Sequence, residues 1–431
     1  METRTERRQV WWTVGVDGGE ARHRVVVLDE HGERVRSAWV ANRVDAIEEV
    51  IAELVLAVPA GARLRVVTEA TRSLGGVLAQ VATGLGLELW QVNPKALARY
   101  REVEGQPRKD DDQDAWLIAR MCVGGMAGCR KVADPRPEER VLSRLSRLHL
   151  QIQRKRSAAL SQLRARVLDL APEMLGEDWE GPAFSGKGML AVLARWPAFR
   201  GLEPVRVTTI ERVLRTSTRY GDRCGAMARA LKTAATRVRL GGAERAVVAI
   251  EMRALTQELR TLEASLEEIA AEIRRSVEAH PIGRKLVAMP AVGYLTAAAQ
   301  IGEVLPLARN ETEGKAATYA GLTPLSRRSG KVTGRPRLAR GVNKHALRAN
   351  YLSALAAVQS SALDAAYYRK QYARHKGHPK AHVVAILALA RQRFKVIYTL
   401  MTTEAVYDKE ILIASHLERE RQTAATGARA A

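Results

Sequence analysis

Apolar and polar positions alternate in short runs over roughly the first quarter of the chain. "VWWTVGVDGG" is apolar, rich in β-formers, and ends in Asp17-Gly18-Gly19. "HRVVVLDEHGERVRSAWVAN" reads as two strands around the turn "DEHGE". "DAIEEVIAELVLAV" has helical spacing, "RLRVVTEA" is a strand ending at Glu69, and "LGGVLAQVATGLG" is a helix. A strand in "LELWQVNP" and a helix in "DDQDAWLIARMCV" complete the series. Further on the period changes to that of long helices. In "EERVLSRLSRLHLQIQRKRSAALSQLRARVLDL", Leu145, Leu148, Ile152, Ala159 and Leu163 form an apolar stripe. Val248, Met252, Leu255, Leu259, Leu262, Leu266, Ile269 and Ile273 form a second, stepping alternately by 4 and 3 in an a/d heptad pattern. Residues 172–242 between the stripes carry a weaker pattern, with "GEDWEGPAFSGKG" reading as a loop.

The order β-β-β-α-β-α-β-α puts three antiparallel strands ahead of α/β crossovers, the ribonuclease-H-like arrangement. The fold class is therefore α/β plus α. The expected domains are a catalytic unit over 10–125, a helical, coiled-coil middle over 136–280, a mostly helical C-terminal domain over 281–415, and a disordered tail over 418–431. The heptad stripe must bury against another helix, either the basic helix of the same chain or the same helix of a second protomer. "RKLVAMPAVGYLTAAAQIGEV" reads as helix, tight turn at Pro290-Ala291-Val292-Gly293, and helix, similar to a helix-hairpin-helix. Such a turn offers backbone N–H groups at a helix start to a phosphate.

Charge narrows the partner. The chain has 69 Lys and Arg against 47 Asp and Glu, a formal net charge of +22. An excess of that size concentrates polyanions, and nucleic acid is the default partner. No apolar run reaches the ~18 residues that span a bilayer, and "METRTERRQVWW" lacks an apolar signal core. A cytoplasmic, nucleoid-associated bacterial protein with no membrane partner is expected. Three cysteines at no metal-ligand spacing predict free thiols. In the basic helix, Arg144, Arg147, Arg154, Lys155, Arg156, Arg164 and Arg166 crowd the polar faces, as either a solvated surface or a phosphate-facing one. The densest basic field is "TYAGLTPLSRRSGKVTGRPRLARGVNKHALRAN", residues 318–350. It contains Arg327, Arg328, Lys331, Arg335, Arg337, Arg340 and Lys344, and no Asp or Glu occurs from Gly314 to Leu363. This stretch reads as a loop gripping a phosphate backbone, leading into a helix capped by Asn343. Ser329-Gly330 sits inside it.

Four carboxylates map to one end of the N-terminal fold. Asp17 ends the first strand, Glu69 ends the fourth, and Asp111 and Asp114 share one face at the start of a helix. In a ribonuclease-H-like sheet the first and fourth strands are neighbours and the last helix packs across them, so the four converge on one cleft. Carboxylates held that close become tolerable when divalent cations neutralise them, and hard oxygen ligands select Mg²⁺ or Mn²⁺. Two such ions can activate an attacking oxygen and stabilise the leaving oxygen of a phosphodiester.

"VGVDGGEARHRVVVLDEHGE", "TEATRSLGG" and "QVNPKALARYREVEGQPRKDDDQDAWLIARM" together resemble the RuvC-like DEDD domain of insertion-sequence transposases of the one-ten family, a group that includes pilin-gene DNA invertases. "LVAMPAVGYLTAAAQIGEVLPLARNETEGKAATYAGLTPLSRRSGKVTGRPRLARGVNKHALR" is similar to that family's C-terminal transposase domain. The resemblance covers about residues 10–125 and 284–360, in the family's order. It implies that Asp17, Glu69, Asp111 and Asp114 bind Mg²⁺. It also implies that Ser329, in the Ser-Gly motif, attacks DNA and forms a covalent phosphoserine link. Partners implied are the DNA of element ends and target, a structured guide RNA (the bridge RNA), and further copies of the chain in a dimer or tetramer. Arg72 stands where the family has glycine, and Asp110 where it has Thr or Ser. That leaves Asp110, Asp111 and Asp112 as alternatives for one ligand, and the register of Asp114-Ala115 favours Asp111. Ser326 is a rival nucleophile three residues before Ser329. The enzymatic alternative is a RuvC-like, structure-specific nuclease that uses water. A nucleic-acid-binding protein without catalysis is the non-enzymatic one.

Overall fold

The computed structural model describes residues 10–408 except 70–74, 106–109, 126–127, 133–134, 178, 180–183, 185, 216–220, 330–331 and 339–340; for 222 and 325–338 it describes the backbone alone. The chain divides into two compact units, Met1–Arg136 and Pro137–Ala431. The expected tail over 418–431 and the Arg72 substitution fall outside the described residues.

The N-terminal unit is built on six strands: β1 (Val10–Asp17), β2 (Arg22–Leu28), β3 (Arg34–Ala41), β4 (Ala62–Thr68), β5 (Glu88–Val92) and β6 (Cys129–Lys131). Their order in the sheet is β3-β2-β1-β4-β5-β6. β1 pairs antiparallel with β2 and parallel with β4, so it occupies the centre that the sequence pattern predicts for it. Helices α1 (Val44–Ala57), α2 (Gly76–Gly84), α3 (Pro94–Val103) and α4 (Asp111–Val123) complete the unit. β1 and β4 read as nearly continuous apolar runs because both faces of these central strands are covered; Val14, Val16, Val66 and Val67 are all buried.

Two elements depart from the expected order. α3 follows β5 directly; Asn93 caps it by accepting from the Lys95 N–H at 2.9 Å, and Pro94 takes the first helical position. Its charged exterior hides the two residues it buries, Leu97 and Tyr100. β6 adds a short antiparallel edge to β5. Three residues are too few to carry a period.

α4 lies unusually close to the sheet. A Cβ placed on Gly15 would come within 2.2 Å of the Ala115 carbonyl oxygen and 2.7 Å of the Ala119 Cβ. Glycine at this point of β1 lets helix backbone meet strand backbone. Ala115 and Ala119 face the strand and are fully buried. That contact fixes where the first turn of α4 sits along β1.

In the second unit, α5 (Pro137–Leu170) and α9 (Gly242–Ala279) run the length of the fold. Ion pairs Arg156–Glu263 and Arg166–Glu251 match rising positions on one helix with falling positions on the other, so the two are antiparallel. The buried face of α9, including Val248, Met252, Leu259 and Leu262, shares a core with Ala159, Leu163 and Val167 of α5. The partner of the α9 stripe is thus the basic helix of the same chain. Of the expected α5 stripe, Ala159 and Leu163 are buried and Leu145 and Ile152 pack partly buried against the core, whereas Leu148 is 42% exposed and Leu142, Ser143 and Ser146 take its place on the buried face. α6 (Lys187–Arg195), α7 (Val207–Leu214) and α8 (Cys224–Arg237) fill the segment whose pattern was weak, packing on one end of the α5–α9 pair.

Around the other end are α10 (Pro281–Val287), α11 (Tyr294–Ala299), a π-helical segment (Gln300–Val304), α12 (Leu305–Ala308), α13 (Glu313–Tyr319), α14 (Lys344–Ser360), α15 (Ala362–Arg374) and α16 (Ala381–Thr402). The turn between α10 and α11 holds Ala291 at φ 60°, a left-handed conformation that costs a non-glycine residue about 1 kcal/mol. Ser353 Oγ donates to the Ala291 carbonyl at 2.8 Å and Arg393 Nη2 to that of Pro290 at 2.5 Å, so the turn is fastened from behind.

The stretch expected to be a basic loop is a β-hairpin: β7 (Pro324–Ser329) pairs antiparallel with β8 (Val332–Leu338). Crowded cationic side chains mask the strand pattern, but Ser-Gly is a turn signal and Val-Thr a β-forming pair. Among the described residues no helix is long and apolar enough to cross a membrane. Cys122, Cys129 and Cys224 are free thiols, in line with their spacing.

Gly15→Ala is expected to push α4 off β1 and destabilise the protein by about 1–3 kcal/mol, the usual cost of overpacking. Chemical denaturation measures this directly. An unchanged midpoint would mean that the helix yields without loss.

Candidate active site

The parallel register of β1 and β4 sets Val16 opposite Thr68, so Asp17 and Glu69 follow at the same level on adjacent strands. Gln91 Nε2 donates to the Glu69 carbonyl at 3.1 Å and holds the chain as it leaves β4. The close seat of α4 on Gly15 brings Asp111 and Asp114 to the same end. All four line one cleft of about 360 Å³. Asp114 is 4% exposed, the most enclosed of them.

The three consecutive aspartates at the start of α4 do different things. Asp110 caps the helix, its side chain accepting from the Asp112 N–H at 2.8 Å. Asp112 turns away to β2 and β3, where Arg24 Nε (2.8 Å), Arg34 Nη1 (2.6 Å) and Ser37 Oγ (2.7 Å) all donate to it. Burial opposes its ionisation, but the bonds from Ser37, Arg24 and Arg34 prevail and hold the carboxyl at about 2. Asp111 is the one of the three that lines the cleft.

Three cleft residues were not legible in the sequence. Arg101, from α3, pairs with Asp114. Its Nε is buried with no hydrogen-bond partner among the described residues. Arg22 stacks over Trp39 with its guanidinium carbon 4.0 Å from the ring centroid, and both line the cleft. Recognising the Asn93-Pro94 helix start would have placed Arg101 one helical face from the site; Arg22 and Trp39 meet only through the β2–β3 pairing.

Four carboxylates are the hard-oxygen donor set that suits a divalent cation. Among the described residues, no three of the His, Cys, Asp and Glu side chains sit close enough together to enclose an ion. The donor type fits a hard cation, but the side chains as placed do not gather around one ion, and Asp114 gives part of its acceptor capacity to Arg101.

In the second unit, Ser329 is the last residue of β7, its backbone opposite Val332. Arg327 and Arg328 precede it, opposite Gly334 and Thr333, and Arg335 and Arg337 lie on β8. Lys331 and Arg340 lie outside the described residues. Lys344 is exposed at the first position of α14, behind the Asn343 cap expected from the sequence.

An acidic cleft at the end of a mixed sheet of this topology, in a chain of net charge +22, marks an enzyme that acts on nucleic acid. Comparison with known proteins makes this specific. The model of the DEDD transposase of IS110, described as "Transposase", matches residues 14–172, a span containing all four cleft carboxylates. That of the "Transposase IS116/IS110/IS902 family" matches residues 283–369, including the hairpin. An uncharacterized 43.6 kDa protein of insertion element IS110 from Streptomyces coelicolor is 32% identical over 38% of this chain and 39% of its own length. An uncharacterized 42 kDa protein of IS900 from Mycobacterium paratuberculosis is 25% identical over 92% of this chain and 97% of its own. A 44.8 kDa protein of IS116 from Streptomyces clavuligerus is 25% identical over 94% and 98%. The chain belongs to the IS116/IS110/IS902 transposase family and is a DNA transposase or recombinase. Membership of a DEDD family also implies a divalent metal ion.

Asp112→Asn separates the structural aspartate from those of the cleft. A folded-state value of about 2 lies below the ordinary aspartate value of about 3.9, so the ionised form stabilises the fold above about pH 4 and that contribution is lost as pH falls toward 2. The variant should melt below the wild type at pH 7, with the gap closing between about pH 4 and 2. A gap independent of pH would assign the loss to packing.

Proposed function

We propose that this transposase cleaves and rejoins DNA through a covalent phosphoserine intermediate, with Ser329 as nucleophile and the Asp17, Glu69, Asp111 and Asp114 cleft as the catalytic centre. The observation that carries the reading is that β1, β4 and α4 deliver these carboxylates to a single cleft, while a Ser-Gly motif ends a strand in a field without acidic residues. In the step proposed, Ser329 Oγ gives up its proton and bonds to phosphorus. The bridging ester oxygen leaves with its strand and takes a proton. Attack by a hydroxyl of the incoming strand reverses the exchange and frees the serine. The number of ester bonds is conserved, so no external energy source is needed.

Mg²⁺ is the ion proposed for the cleft; bound there, it would lower the charge on the phosphorane and on the departing oxygen. Asp17, Glu69, Asp111 and Asp114 would have to draw together to hold it, Asp114 giving up part of its pairing with Arg101. Arg327, Arg328, Lys331, Arg335, Arg337, Arg340 and Lys344 are proposed to grip the backbone, with a steep fall in affinity as salt rises. The helix-hairpin-helix reading of the α10–α11 turn belongs to the same grip, and the coiled-coil reading to the α5–α9 pair. A structured guide RNA and a homo-oligomer complete the proposal.

Covalent trapping tests it. Protein with its co-purifying RNA, Mg²⁺ and labelled element-end DNA should give a denaturation-resistant adduct. Ser329→Ala should abolish the adduct, Asp17→Asn should lower it by about a hundredfold or more, and a chelator should suppress it. Free cleaved ends without adduct, unchanged by Ser329→Ala, would show that water is the nucleophile.

A further inference from the structure

The second unit contains a buried ionic cluster that the chemistry above leaves unused. Its centre is Glu303, inside the π-helical segment Gln300–Val304, with a side chain only 2% exposed. Oε1 accepts from Ser143 Oγ at 2.6 Å and Arg147 Nε at 2.5 Å. Oε2 accepts from Arg147 Nη2 at 2.5 Å and Asn343 Nδ2 at 2.7 Å. Four donors thus meet the roughly four acceptor positions of one carboxylate. A Cβ on Gly302 would come within 2.4 Å of the Ser143 backbone nitrogen, so the π segment and α5 touch main chain to main chain. A π turn carries one residue more than an α turn and is uncommon outside functional regions. Here it coincides with the point where Glu303 meets its donors. Burial alone would raise the Glu303 carboxyl, but the donors from Arg147, Ser143 and Asn343 hold it below its ordinary value.

Asn343 carries the cluster to the hairpin. Its Oδ1 caps α14 by accepting from His345 N and Ala346 N, both at 3.0 Å. Its backbone N–H donates to the Tyr319 carbonyl at 2.8 Å, and its Nδ2 also reaches Tyr319 Oη at 2.9 Å. Tyr319 is the last residue of α13 and Asn343 immediately precedes α14. Everything between them is the excursion that contains β7 and β8. The two ends of that excursion are therefore joined to each other and to one buried carboxylate.

This matters because the hairpin is a two-stranded sheet whose strands pair only with each other among the described residues. An isolated two-stranded hairpin is marginally stable in water. Its direction has to come from its base. A buried ion pair adds little net stability compared with apolar packing, yet it fixes geometry through a complete set of directed bonds.

We infer that Glu303, acting through Asn343 and braced by Arg147 and Ser143, is a positioning residue that orients the Ser329 hairpin for attack on DNA. The inference rests on the assignment of Ser329 as nucleophile.

The test uses full-length protein and two variants. Glu303→Gln keeps the shape but puts an amide N–H₂ where two donors now converge. Asn343→Ser keeps an N-cap for α14 but cannot reach Glu303. Hydrogen–deuterium exchange should quicken over the hairpin amides in both, while the α16 amides stay protected. The rate of adduct formation from prebound DNA should fall about ten- to a hundredfold, the scale expected for misplacement by about an ångström, with DNA affinity retained. Unchanged hairpin exchange and an unchanged rate in both variants would overturn the inference. So would a loss of rate that merely follows a loss of protection across the whole unit. Ser329→Ala serves as the separate control: an adduct that survives it refutes the nucleophile assignment, whereas an adduct lost there but unaffected by Glu303→Gln and Asn343→Ser refutes only the positioning role.

Discussion

Asp17, Glu69, Asp111 and Asp114 come from two strands and a helix, and the constraint on the N-terminal unit is that all four line one cleft. Strand pairing and helix seating bring them there. Parallel pairing of β1 with β4 sets two of them level. A backbone contact that only glycine permits at position 15 seats α4 against the same strand. Local cations do the rest: Arg101 pairs with Asp114, while Arg24 and Arg34 draw Asp112 out of the group. The neighbouring aspartates of one helical turn thereby acquire separate tasks of capping, ion pairing and lining the cleft.

The second unit applies the opposite design to the same problem of placing charged groups. Its cationic field lies on a hairpin whose strands gain no support from a larger sheet. Order is supplied from the base, where the antiparallel α5–α9 pair reaches the π segment. Arg147 leaves the polar face of α5 and meets a carboxylate that is almost wholly enclosed. The basic helix is therefore not simply a solvated surface: Arg147, Arg156 and Arg166 each pair with an acidic partner, whereas Arg144, Arg154, Lys155 and Arg164 remain exposed.

Legibility followed the length and regularity of each element. The β1–β4 framework and its central strand were readable because apolar runs of seven or eight residues bounded by turns leave little choice of period. The α9 heptads were readable for the same reason. α3 was hidden by its charged exterior, β6 by its shortness, and β7–β8 by cationic side chains over a weak strand pattern. The carboxylate positions were legible as strand ends and a helix start, which are local properties.

The sequence by itself determined the long, regular elements, the family, and the residues that carry negative charge at one end of a sheet. Each of these depends on neighbours along the chain or on a short repeated pattern. Tertiary structure alone decided that α9 pairs with α5 of the same chain, that Arg101, Arg22 and Trp39 join the cleft, and that Glu303 binds Arg147 and Asn343 across 156 and 40 residues of sequence. The seat of α4 on β1 and of the π segment on α5 likewise depends on how close two backbones approach, at Gly15 and at Gly302. That distance is set by the packing of whole elements and leaves no period for the sequence to display.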